Sequence, residues 1–93
     1  MQQLAWNDFA GAEGSVYRVA SDRGEFDFLL EKAIELPASG REGGSFRLEF
    51  RGPGEPVLPQ SIYRFSRAGE SAEIFIVPVA RNESGTLYEA IFC

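Results

Sequence analysis

Seven consecutive residues, Ser45 to Arg51 (SFRLEFR), place Phe46, Leu48 and Phe50 on one parity and Arg47, Glu49 and Arg51 on the other. A strict two-residue period belongs to a strand with one buried and one solvated face, and no helix turns that way. The same rhythm runs through most of the chain. It appears in Ser15–Ser21 (SVYRVAS), Glu25–Leu36 (EFDFLLEKAIEL), Ser61–Arg67 (SIYRFSR), Ala72–Val79 (AEIFIVPV) and Thr86–Phe92 (TLYEAIF). Phe, Tyr, Ile and Val dominate these runs and suit a pleated, half-buried surface.

Turn chemistry separates the runs at intervals of about a dozen residues, the spacing of a small antiparallel barrel or sandwich. Asp22-Arg23-Gly24 reads as a tight hairpin, with Gly24 at positive φ. Arg67-Ala68-Gly69-Glu70 and Asn82-Glu83-Ser84-Gly85 read as two more, and Pro37–Gly44 (PASGREGG) as a longer, flexible loop. Gly52–Gln60 (GPGEPVLPQ) holds three prolines, which lack the N–H a ladder needs, so this segment leaves the sheet and crosses between strands. Pro78 is expected at a strand end, an edge or a bulge for the same reason. Near the start, Asn7 or Asp8 is expected to N-cap a short helical turn through Gly11, with Trp6 and Phe9 on one side as a plug for one barrel end. The expectation is an all-β single domain over residues 1–93. It is a small antiparallel β-barrel or sandwich of about six strands with a short N-terminal helical turn. Strands this short are expected to leave one edge open, through which the last strand pairs with another chain and gives a monomer or weak homodimer.

The side-chain inventory excludes more than it suggests. The 93 residues contain no His and one Cys, Cys93, so the commonest general base, the commonest metal ligand and any internal disulfide are missing. No acidic calcium loop occurs, and the expectation is no metal and no cofactor. No serine sits in a nucleophile elbow, and no catalytic residue is assigned. Glu25, Asp27, Glu31 and Glu35 are read as one strand face. An acid–base role there needs Glu31 or Glu35 raised in a cleft; pairing with Arg47 and Arg51 across a hairpin is the structural alternative. A net charge of -5 opposes phosphate and hence nucleic acid. No 18-residue apolar run is present to span a membrane, and the opening residues form no signal peptide, which suits a cytoplasmic protein. Of nine basic residues eight are Arg, a bias found at protein interfaces. Arg47, Arg51, Gln60 and Arg64 are the candidate interaction surface.

The stretch Phe46–Phe65 (FRLEFRGPGEPVLPQSIYRF), then Glu73–Val79 (EIFIVPV) and Leu87–Phe92 (LYEAIF), resembles a family of small bacterial domains of unknown function. The opening, with Phe9 and Gly14 ahead of Val16-Tyr17, fits the same pattern. Genes of that family lie near phage-tail-collar proteins of the microcystin-dependent type. The resemblance therefore implies a non-enzymatic structural or interaction module, an accessory of a phage-tail-like or fibre-like assembly with a tail-collar or fibre protein as partner. The alternative is a small β-barrel that binds a small ligand or peptide at an aromatic-lined mouth.

Overall fold

A computed structural model describes residues 4–37 and 44–92. Most of the Pro37–Gly44 loop, and Cys93, lie outside the described residues. The six strands are β1 (Val16–Ser21), β2 (Gly24–Glu35), β3 (Phe46–Gly52), β4 (Ser61–Arg67), β5 (Glu70–Asn82) and β6 (Gly85–Phe92). They form a closed antiparallel barrel in the order β1-β2-β3-β6-β5-β4. Each expected strand is present, and the choice between barrel and sandwich resolves to barrel.

The barrel is two three-stranded meanders, β1–β3 and β4–β6, joined by the proline-rich crossover. The meanders meet along β3–β6, in seven residue pairs from Phe46↔Phe92 to Gly52↔Thr86. They meet again along β1–β4, in three pairs from Arg18↔Ser66 to Ala20↔Arg64. The last strand is thus an inner strand, with β3 on one side and β5 on the other. The expected open edge is not on β6, because closure pairs it twice; the short ladder lies between β1 and β4.

Side-chain parity fills the interior. Tyr17, Val19, Phe28, Leu30, Phe46, Leu48, Phe50, Phe65, Ile74, Ile76, Tyr88 and Ala90 are all buried. Phe28 stacks on Tyr88 at 4.8 Å between ring centroids, and Phe50 meets Phe65 at 4.8 Å. These rings occupy the described interior of the barrel.

Two bulges alter the parity. A register shift between Leu30 and Lys32 leaves Glu31 as the extra residue. Inserting one residue moves the remainder of the strand to the other face. Glu35 therefore pairs with the inward Phe46, and the four acids expected on one face of β2 do not share it. The second shift falls between Pro78 and Ala80, so Pro78 does sit at a bulge.

One end of the barrel is plugged by the N-terminal segment. Neither Asn7 nor Asp8 is the N-cap residue of its 3-10 turn, Trp6–Asp8. Ala5 occupies the cap position, and Asp8, three residues on, reaches back so that its carboxylate accepts the Ala5 N–H at 2.8 Å. Phe9 is buried, 5.7 Å from Phe46 and 6.3 Å from Phe92, themselves stacked at 4.4 Å.

The crossover, residues 53–60, has few ladder partners and takes hydroxyls instead. The Leu58 N–H donates to Tyr88 Oη at 2.8 Å, inside the core. Tyr63 Oη donates to the Pro59 carbonyl at 2.6 Å.

Candidate interaction surface

The four sequence-derived candidates divide into two places. Arg47 and Arg51 lie on the outer face of β3, and both are engaged within the chain. The Glu31 bulge presents its carboxylate to Arg51, whose Nε and Nη2 donate to Oε2 and Oε1 at 2.6 and 3.1 Å. This two-pronged pairing holds the Glu31 carboxyl below its ordinary value, the hydrogen bond from Arg51 being the main cause. A general acid requires the opposite shift. Arg47 lies 3.5 Å from Glu49 and 3.9 Å from Glu89, carboxylates that β3–β6 pairing sets directly opposite one another. It offsets a like-charge contact that is otherwise destabilising. The anticipated cross-hairpin pairing therefore holds for Glu31 with Arg51. Glu25 and Asp27 instead meet Arg18 on β1, at 3.5 and 2.9 Å.

Gln60 and Arg64 are exposed and line one groove of about 560 Å³, with Ala20, Ser21, Asp22 and Ile62 among its other walls. The groove opens where the β1–β4 ladder stops at Ala20↔Arg64. Beyond that pair β1 turns away at Asp22, while β4 continues back to Ser61. Arg64 makes no ion pair among the described residues, unlike Arg18, Arg47, Arg51 and Arg81.

Two neighbours of this groove escaped the sequence reading. Ile62 is 60% exposed and stands directly opposite Phe75, 50% exposed, on the outer wall of β4 and β5. Parity is the signal that finds them. Tyr63 and Phe65 point inward, which sends Ile62 outward with Arg64; Ile74 and Ile76 point inward, which sends Phe75 outward. Phe75 is an aromatic ring on the outer parity, unlike the inward rings of Phe46 and Phe50.

Arg67, by contrast, does not lie on the outer face with Arg64. It follows Phe65 at the next inward position, at the barrel mouth, with its guanidinium carbon 5.7 Å from the Tyr17 ring centroid. A small pocket of about 110 Å³ lies there, floored by Phe9, Tyr17, Phe65 and Ile74 and rimmed by Asp8, Arg67, Glu70 and Ser71. Burial raises the Tyr17 hydroxyl above its ordinary value, against the lowering effect of Arg67. Among the described residues no three Asp, Glu or Cys side chains gather as a metal-binding group.

The sequence pattern of a domain of unknown function, DUF6916, matches residues 4–92. The chain belongs to the DUF6916 family. That match spans the plug, all six strands and the crossover, so the DUF6916 domain and the barrel are coextensive over the described residues. No curated protein and no solved structure matches the chain.

Proposed function

We propose that this DUF6916 domain is a non-catalytic interaction module that attaches to, or helps assemble, a fibre-like or phage-tail-like partner. The observation that supports this most is the outer wall of β4 and β5. There Ile62 and Phe75 form an exposed apolar pair beside a groove that carries Arg64, which makes no ion pair among the described residues. A solvated barrel wall of this kind ordinarily alternates charged and polar residues, and exposed aliphatic and aromatic neighbours beside an arginine fit a recognition surface. The tail-collar partner class comes from the resemblance noted in the sequence, and the reading places the module in the cytoplasm or in the assembled tail.

Co-expression of the tagged domain with a tail-collar protein encoded near it, followed by affinity purification, tests the reading. Recovery of a complex that survives gel filtration is expected. Absence of any complex with each neighbouring collar or fibre protein overturns it. The mouth pocket favours a second reading, a small polar ligand over Tyr17 between Arg67 and Asp8. Chemical-shift changes at Tyr17 and Arg67 in a fragment screen are its signature.

A further inference from the structure

We infer that the β1–β4 seam receives an extended polypeptide segment of a partner, which pairs its main chain with Ile62 and offers a carboxylate to Arg64; this rests on the interaction-module reading and names its site.

The direction of the backbone groups is set by the hairpins. Ser21 pairs with Gly24, and Arg67 with Glu70, each across a loop of only two residues. A loop that short closes on a pair that exchanges both its N–H···O bonds. Ala68 and Gly69, both at positive φ (55° and 82°), form the hairpin turn suited to such closure. Backbone direction alternates along a strand, so Ser61, Tyr63, Phe65 and Arg67 address β5, while Ile62, Arg64 and Ser66 address β1. On β1, Tyr17, Val19 and Ser21 address β2, and Arg18 and Ala20 address β4. The pairs Arg18↔Ser66 and Ala20↔Arg64 match this alternation. The next partner in line, opposite Ile62, does not exist, because the chain turns at Asp22. The N–H and C=O of Ile62 therefore face the groove with no strand across from them.

A donor and an acceptor on one residue, spaced for a strand pair and facing an open groove, are complementary to the main chain of another extended segment. The residue that pairs with Ile62 carries its side chain on the same outer face as Ile62. A carboxylate there is the diagonal neighbour of Arg64, within reach of its long side chain, and completes a charge-assisted contact. A side chain two residues along, opposite Gln60, lies on that face too, where an apolar group packs diagonally against Ile62 and continues the Ile62–Phe75 ridge; the place opposite Arg64 itself is taken by Ala20. Asp22 on the opposite rim repels a carboxylate from that side, and Arg64, although Glu73 stands opposite it on β5, makes no ion pair among the described residues. The occupant is thus an extended segment with an apolar and an acidic residue two positions apart. Pairing stops after Gln60, since Pro59 has no N–H and its carbonyl already accepts from Tyr63.

Amide hydrogen exchange by NMR on the full chain tests the seam directly. In the free protein, Ile62 is expected to exchange far faster than Arg64 and Ser66. A protected Ile62 overturns the inference. The probe is a capped heptapeptide of alternating valine and threonine in which one valine is replaced by glutamate. It is expected to shift the Ile62 and Arg64 amides and to slow exchange at Ile62. Arg64→Glu is expected to weaken that binding roughly twofold to fivefold, the range of one exposed ion pair. Ile62→Ala, which keeps the main chain and removes the ridge, weakens it without unfolding a barrel whose core lacks that side chain. A probe that shifts only mouth residues such as Tyr17 overturns the seam. A collar or fibre partner that binds while Ile62 stays unprotected overturns the seam and leaves the interaction-module reading intact. Peptide binding at Ile62 with no partner recovered from co-expression does the reverse.

Discussion

Single residues carry unequal shares of this barrel. Tyr88 is the clearest case: its ring stacks on Phe28, and its hydroxyl is the acceptor for the buried Leu58 N–H. Tyr88→Phe keeps the ring and orphans that amide, which costs about 1–3 kcal/mol. For a domain of this size each kcal/mol corresponds to about 4–8 °C in Tm, which thermal denaturation measures. Gly85, at φ 122°, passes so close to the Gly52 carbonyl oxygen that a Cβ there collides with backbone. Gly85→Ala is expected to lose at least about 2 kcal/mol, from strain plus the clash, in chemical denaturation. The Glu31–Arg51 pair supplies a pH dependence. The folded carboxyl titrates below its ordinary value of 4.5. Its contribution is therefore complete above that value and disappears as pH falls through the lowered folded one. Both side chains are partly solvated, so the loss is about 0.5–1 kcal/mol. Glu31→Gln removes it at pH 7 and flattens the acid limb of a stability–pH profile.

At the level of elements, legibility depended on what a single strand can know. Alternation in SFRLEFR located β3 to within one residue at each end, because every inward position from Phe46 to Phe50 is a large apolar group. The hairpin turns were equally visible in their Gly, Asp and Asn residues. The bulge at Glu31 was not, since a run of mixed polarity such as FLLEK reads the same with or without an extra residue; only the β3 partner fixes the register. Glu35 was placed on the wrong face for that reason. Of the four candidate residues, only two come together in space. Gln60 and Arg64 share a groove; the Glu31–Arg51 pairing was anticipated across the hairpin, whereas the place of Arg47 beside Glu49 and Glu89 depends on the β3–β6 register, which no linear pattern announces. The plug was foreseen through Trp6 and Phe9, but its cap was not, because Ala5 has no capping side chain and Asp8 works from three residues ahead. Phe9→Ala removes a ring buried against Phe46 and Phe92 and is expected to cost about 3–5 kcal/mol. The measurement is equilibrium unfolding followed by Trp6 fluorescence, since Trp6 lies on the same end, 6.0 Å from Phe46.

For the whole molecule, closure assigns different strengths to the two joins between meanders. The β3–β6 join has seven pairs and the β1–β4 join three. Thermal opening therefore has a built-in axis: the barrel parts like a book, with β3–β6 as its spine and β1–β4 as its fore-edge. Sub-global opening of this kind sets a ladder of exchange free energies across a native protein. Amides at Arg18, Ala20, Arg64 and Ser66 are expected to exchange through a smaller opening than those along Leu48–Phe50 and Tyr88–Ala90. Equal protection on both joins refutes that order. A partner strand laid against Ile62 lengthens the fore-edge, so binding at the groove is also a clasp that raises the free energy of opening for the entire barrel.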